Sequence, residues 1–326
     1  MTLFSEVCGA DRERLARALA GVRAYQAHPY RRAVAALPAV ARAGSVVLRD
    51  YGGDGPAVVV VPSLINPPTV LDLGMDNSML RWLAQHGVRP LLVDWGTPGA
   101  DEPGFGLGDM IVERLVPLLR VAGERPALLG YCMGGTMALA AAGLVPVSRL
   151  ALLATPWRFS GYDARQRATI ADYAAAILPL GERLGAVPMD LLQPAFWRLA
   201  PEATVAKFAG FDPDAPGAAG FVALEDWAND GPPLPLGIAR DLFQDLFADD
   251  RSGAGTWQVG GMPVRPEALG IPILDVVALR DRLVPPASAL GLGTRLEIDG
   301  GHVGMVVGRR GREHLWEPLA RFLAGA

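Results

Sequence analysis

The sequence predicts an α/β fold, with a mostly parallel central sheet, helices on both faces and an inserted cap. Three observations carry that expectation. Val58-Val59-Val60-Val61 is continuously β-branched rather than alternating, as a strand covered on both faces must be. Runs of this kind alternate with helical stretches up to residue 156, which is the rhythm of a parallel sheet. The alternation then stops. Residues 157–265 hold helical pieces between Pro/Gly-rich loops, such as Phe211-Asp212-Pro213-Asp214-Ala215-Pro216-Gly217 and Gly231-Pro232-Pro233, and strand signals resume only at 271–278 and 294–298.

The elements follow in order. Residues 11–43 are Arg/Ala-rich, with Leu15, Leu19, Val22 and Tyr25 at helical spacing and Pro29 and Pro38 as breaks. They are expected to form helix laid on the core. A strand is expected over 45–51, then a turn at Gly52-Gly53-Asp54-Gly55-Pro56. Beyond Val58–Val61 come a helix over 77–85 closed by Gly87, a strand over 89–95, a loop over 96–108 and a helix over 109–121. Pro126-Ala127-Leu128-Leu129 reads as a strand, 135–143 as a small-residue helix, 149–154 as another strand and 315–323 as the closing helix. The expected organisation is an N-terminal helical segment over 1–44, a core over 45–156 and 266–326, and a cap over 157–265.

The chain has 326 residues, 51% of them hydrophobic, which suits one large domain or a core carrying an inserted subdomain. A net charge of −4 gives no basic footprint, so nucleic acid is not an expected partner. Nearly all positive charge is Arg, with Lys207 the only lysine. Two cysteines, Cys8 and Cys132, do not make a disulfide framework, and a cytoplasmic location is expected. Residues 1–8 lack the basic-then-apolar pattern of a secretory signal. Residues 126–148 carry no charged side chain, but Gly130, Gly134, Gly135, Gly143 and Pro146 make them strand, turn and helix rather than a membrane span. No transmembrane segment is expected.

Chemistry concentrates at Gly130-Tyr131-Cys132-Met133-Gly134. This is the Gly-x-Ser-x-Gly nucleophile elbow with cysteine in place of serine, and it points to the α/β-hydrolase fold. A lone Cys beside an apolar strand is usually a small buried hydrophobe. The flanking glycines, the preceding strand and the following small-residue helix favour a nucleophile instead. In that fold an acid and then a His follow the nucleophile. Asp281 lies just beyond the strand Ile273–Ala278, and His302 just beyond Arg295–Ile298, in Asp299-Gly300-Gly301-His302-Val303-Gly304. Asp275 falls inside its strand and reads as structural; His28, His86 and His314 read as surface or capping residues.

The roles follow from the chemistry. His302 takes the Cys132 proton or stabilises a thiolate–imidazolium pair, and Asp281 orients the ring. Two backbone N–H groups must hold the oxyanion, Met133 and one from Pro62-Ser63-Leu64-Ile65-Asn66, where Leu64 is favoured over Ile65. No metal-ligand spacing is present, and Gly104-Phe105-Gly106-Leu107-Gly108 lacks the Lys of a phosphate loop, so no metal or cofactor is expected. Phe196, Trp197, Phe208, Phe211, Trp227, Phe243 and Phe247 read as core aromatics rather than a ligand box.

These residues resemble the polyhydroxyalkanoate synthases, especially the shorter, two-subunit type. Gly130-Tyr131-Cys132-Met133-Gly134-Gly135-Thr136 is similar to their cysteine box. Val61-Pro62-Ser63-Leu64-Ile65-Asn66 with Leu71-Asp72-Leu73 is similar to their oxyanion segment, and Leu92-Val93-Asp94-Trp95-Gly96-Thr97-Pro98 to their next strand. Leu279-Arg280-Asp281-Arg282-Leu283-Val284-Pro285 and Gly300-Gly301-His302-Val303-Gly304 resemble their acid and His loops. Arg282 departs from the His that the family commonly has there. The resemblance implies transfer of a (R)-3-hydroxyacyl group from CoA through a Cys132 thioester onto a polyester hydroxyl. It also implies a polyester chain or granule and a homodimer or second synthase subunit as partners. The residues alone leave two alternatives: a cysteine thioesterase, esterase or intracellular polyester depolymerase, and a non-catalytic granule-associated protein.

Overall fold

The computed structural model describes residues 2–34, 37–99, 102 and 104–325. Ala35 and Ala36 of the expected N-terminal helical segment, and Ala100, Asp101 and Pro103 of the expected 96–108 loop, lie outside the described residues. Eight strands form the central sheet: β1 Ala39–Ala43, β2 Val46–Asp50, β3 Ala57–Val61, β4 Arg89–Asp94, β5 Ala127–Tyr131, β6 Leu150–Leu153, β7 Ile273–Ala278 and β8 Thr294–Ile298. Their spatial order is β1-β2-β4-β3-β5-β6-β7-β8. β2 is antiparallel to both neighbours, and every other pair is parallel. This is the α/β-hydrolase arrangement expected from the sequence. Val58–Val61 and β6 are fully buried, because helices cover both faces of the sheet.

The parallel strands set the location of any site. All release their chains at one edge of the sheet, and the crevice outside the carboxyl ends is where α/β folds place function. Helices connect them: α3 Met79–Ala84, capped by the Ser78 side chain, then α4, which runs through Leu107–Asp109, a π-helical Met110–Leu115 and Val116–Ala122, and then α5 Met133–Ala142. Every residue from Met133 to Ala141 is buried, so α5 is the central helix of the molecule.

The N-terminal region differs from expectation. The helices α1 Thr2–Cys8 and α2 Arg12–Ala27 end well before residue 43, at His28 beside Pro29, and Ala39–Ala43 is a sheet strand rather than helix. Nor do these helices lie on the core. Their apolar stripe packs on the segment inserted between β6 and β7: Phe4, Cys8 and Ala18 share a buried cluster with Val205 and Phe208. The physical reason is that the sheet faces already carry their own helices, which leaves the inserted segment as the exposed apolar partner.

That insert is built from α6 Ala164–Leu184, α7 Met189–Leu199, α8 Pro201–Ala209, α9 Ala218–Asn229 and α10, which is Leu236–Arg240 continued by a π-helical Asp241–Ala248. A reciprocal capping box between Asp163 and Gln166 starts α6. The two ends of the insert are closed on each other by Ser252 Oγ on the Trp157 carbonyl and by Asp250, which accepts from Phe159 and Ser160 N–H. Its aromatics are packing residues: Phe208, Phe211 and Phe221 form ring contacts beside α2, and Phe247 stands edge-on to Phe159 and Tyr162. Among the described residues, no helix is long and apolar enough to cross a membrane.

Phe208 is the central ring of the junction between insert and N-terminal helices, 2% exposed. Phe208→Ala should cost about 3 kcal/mol of stability, the usual toll of an emptied aromatic site. Urea denaturation measures it, and limited proteolysis should then cut first between α1 and α2.

Candidate active site

Between β5 and α5 a single residue, Cys132, makes the turn. Its backbone is at φ 54°, ψ −130°, one of three non-glycine residues with positive φ among the described residues. The turn is pinned by Cys132 N–H on the Leu153 carbonyl and by Gly135 N–H on the Cys132 carbonyl, both 2.9 Å. Two glycines are required by contact rather than flexibility. A Cβ on Gly130 would sit 2.3 Å from the Gly135 Cα, and one on Gly134 only 2.1 Å from the Val61 carbonyl oxygen. Small residues here let helix and strand close to a distance that larger ones forbid.

Beyond β7, Asp281 turns its carboxylate inward, fully buried. Its Oδ1 accepts from Leu283 and Val284 N–H, both at 2.8 Å, and its Oδ2 meets His302 Nδ1 at 2.6 Å. With one oxygen locked by two backbone donors, the other is aimed at the imidazole. Leu279 N–H on the Ile298 carbonyl and Arg280 N–H on the Gly300 carbonyl hold the two loops together. The other ring nitrogen, Nε2, is left for Cys132. His302 titrates high, at about 10. Burial alone would lower it. The Cys132 charge, the hydrogen bonds His302 donates to Asp281 and to Cys132, and the Asp281 charge together outweigh burial.

The third component comes from β3. Val61 is paired with Gly130, so the Pro62–Asn66 loop leaves the sheet directly beside the elbow. Ile65 N–H is engaged by Ser63 Oγ at 3.3 Å, which favours Leu64 over Ile65 as a donor for a ligand. Met133 is the first residue of α5, where the helix itself offers its N–H no partner.

The structure thus brings Cys132, Asp281, His302, Met133 and the Leu64 loop to one edge. It leaves Asp275 elsewhere, its Oδ2 accepting from Gly291 N–H. His28 caps α2, and His86 stacks on Trp82. Two tyrosines were missed by sequence. Tyr131 lies 5.1 Å, ring to ring, from His302 and donates its hydroxyl to the His302 carbonyl. Tyr162, from the insert, is buried near the same charges. Desolvation, then the Cys132 and Asp281 charges, raise both phenols well above their usual value, so both stay neutral. Tyr131 could have been suspected from its place inside the elbow; nothing in the spacing marks Tyr162.

The site is closed over. Cys132 is 8% exposed. Open cavities of about 240 Å³ beside Arg158 and Arg265, and of about 340 Å³ between α6 and α10, are not lined by Cys132. Among the described residues, no group of three His, Cys, Asp or Glu side chains could hold a metal.

Curated relatives share most of this chain. The poly(3-hydroxyalkanoate) polymerase subunit PhaC of Allochromatium vinosum is 28% identical over 289 residues, covering 82% of this chain and 80% of the relative. The subunit of the same name from Synechocystis is 29% identical over 292 residues, covering 82% and 77%. That of Haloferax mediterranei is 26% identical over 286 residues, and the match spans 58% of its length. Over most of its length the chain is thus similar to the polyhydroxyalkanoate synthases. No family model matches it. Among solved structures, BpoC of Mycobacterium tuberculosis superposes with a TM-score of 0.55 at 17% identity, covering 90% of this chain and 99% of that one. An α/β hydrolase fold protein from Nakamurella multipartita superposes at 0.51 and 18% identity, covering 88% and 99%. These two likenesses establish the fold alone. In this chain the residue after Asp281 is Arg282, and it is exposed.

The high His302 titration depends on its neighbour. In Cys132→Ala the leading upward influence is gone while burial remains, so His302 should titrate well below about 10. NMR titration of the imidazole resonances in the two proteins measures the difference.

Proposed function

We propose that this chain is an acyltransferase of the polyhydroxyalkanoate synthase type, working through a Cys-His-Asp triad. The observation that carries the reading is a thiol on a nucleophile elbow, backed by a buried imidazole that Asp281 holds at 2.6 Å. The similarity to the synthases supplies the substrate class. The names of the relatives specify a poly(3-hydroxyalkanoate) product for those proteins, and we carry it to this chain.

In the first half-reaction, the Cys132 sulfur attacks the thioester carbon of a (R)-3-hydroxyacyl-CoA. The negative charge moves to the carbonyl oxygen, where the Met133 and Leu64 N–H groups receive it. The carbon–sulfur bond to CoA breaks as the carbonyl reforms, and His302 gives its proton to the departing CoA sulfur. In the second, neutral His302 takes the proton of a chain-end hydroxyl, whose oxygen attacks the Cys132 thioester. A new ester bond forms, the Cys132 thiolate leaves, and the imidazolium is restored. A sulfur nucleophile suits this cycle because a thioester keeps the acyl group activated for the next hydroxyl. Asp281 keeps the ring in register throughout. The insert over 157–265 acts as the cap that keeps water from the thioester, with Tyr162 as its wall against the triad. The polyester product makes a granule surface in the cytoplasm the working location, with a homodimer or second synthase subunit as partner.

Incubation with 3-hydroxybutyryl-CoA should release CoA and leave polymer. Free 3-hydroxybutyrate with CoA would make water the acceptor and replace the reading with a thioesterase. Cys132→Ser should lose at least about a hundredfold of CoA-release rate, because a hydroxyl is far less acidic than a thiol. Iodoacetamide should label Cys132 much faster than Cys8, and mass spectrometry of the two peptides checks it.

The pH profile has a definite sign. His302 is raised, so its protonated form survives from neutrality up to about pH 10 and is lost above it. Single-turnover CoA release should therefore hold through pH 8–9 and fall on a limb near 10. A limb near the ordinary histidine value would contradict the charged pair.

A further inference from the structure

The oxyanion loop is held at both ends by indole N–H groups, and the two indoles come from different parts of the molecule. Trp95, just past β4 in the core, donates Nε1–H to the Pro62 carbonyl at 3.1 Å. Trp227, in the last turn of α9 in the insert, donates Nε1–H to the Pro67 carbonyl at 2.8 Å. Between them Asn66 faces the insert. Its Nδ2 reaches the Asp230 carbonyl at 3.1 Å, with the Ala228 and Trp227 carbonyls at 3.3 and 3.4 Å. The next residue of the insert, Gly231, lies so close to the loop that a Cβ there would be 2.4 Å from the Ile65 carbonyl oxygen. The same segment is braced from behind, where Tyr25 of α2 donates its hydroxyl to Asp226 at 2.8 Å.

We propose that Trp227 and Asn66 are positioning residues for acyl transfer: they fix the Leu64 peptide as an oxyanion donor only while the insert is docked. The inference rests on the reading of Leu64 N–H as that donor. Leu64 lies between the Trp95 and Trp227 anchors. With only the core anchor in place, the loop is fixed at Pro62 and free to rotate at Leu64. With both in place its N–H has one direction. Docking of the insert and assembly of the oxyanion site are then one event, so that a thioester is attacked only under a closed insert.

The test separates an oxyanion effect from general damage. Acylation of Cys132 by a thioester or ester builds an oxyanion, whereas alkylation by iodoacetamide does not. Trp227→Phe keeps the ring and removes the N–H. Asn66→Asp keeps the size and sets a carboxylate against three carbonyls. Gly231→Ala pushes on Ile65 without touching either anchor. Each should lower the maximal acylation rate by about tenfold or more, short of the 10²–10³ for deleting an oxyanion donor outright. KM and the iodoacetamide rate at Cys132 should stay within about twofold of the parent, because neither depends on the donor. Acylation is read with 3-hydroxybutyryl-CoA and, in parallel, with p-nitrophenyl butyrate. If the parent protein ignores the CoA ester, the proposed function fails, and the nitrophenyl ester still reads the positioning effect. Parent-like acylation in the folded variants overturns the inference, and so does a parallel fall in acylation and alkylation.

Discussion

The site depends on one backbone conformation. Cys132 sits at positive φ, where a side chain bearing a Cβ costs about 1–2 kcal/mol, and the molecule holds it there by closing β5, α5 and the start of the β3 loop onto one another. Gly130 against Gly135 and Gly134 against Val61 are the contacts that make the closure possible. Were either to open by the width of a methyl group, the α5 N-terminus would move away from the β3 loop. The two N–H groups that could share an oxyanion would then separate. Nucleophile placement and oxyanion placement are in this sense a single constraint, satisfied by absent side chains.

Charge is arranged around that constraint by burial. An imidazole as enclosed as His302 would ordinarily be neutral, because desolvation penalises the cation. Negative charge facing it, from Cys132 and from Asp281 at Nδ1, raises its pKa instead. Two backbone donors on Asp281 Oδ1 fix the carboxylate so that Oδ2 faces the ring. Tyr131 and Tyr162 complete the enclosure with hydroxyls that stay protonated beside these charges. They can donate hydrogen bonds but add no charge.

The sheet and the candidate site were legible because each leaves a local trace. Four consecutive valines can only be a two-sided strand, and glycines two before and two after Cys132 state a turn that few other structures need. Asp281 and His302 could be picked out because each lies a few residues past a strand, on the edge where parallel strands all end. The N-terminal helices could be found from spacing but not placed: Leu15, Leu19 and Val22 say that one face is covered, and nothing in them says by what. Only the arrangement of α8, with Val205 and Phe208 exposed to them, decides it. β1 escaped for a related reason, since Ala39-Val40-Ala41-Arg42-Ala43 is an edge strand with one paired side and a mostly exposed pattern. Tyr162 and Trp227 act at the site from within the insert, at sequence distances that no motif spans.

On the proposed reading, the insert is part of the chemistry as well as its cover. Cys132 is 8% exposed, yet the substrate class proposed here carries both a CoA moiety and a polymer end. Admission of such a substrate and completion of the oxyanion site make opposite demands on the same contact. Trp227 can hold Pro67 or make way, but cannot do both at once. An enzyme built this way gains protection for its thioester, because an unoccupied or half-filled site with a displaced insert lacks the donor that water would need to attack. The hydrogen bond from an indole to a proline carbonyl, remote from the sulfur, would then decide when the sulfur's acyl group can react.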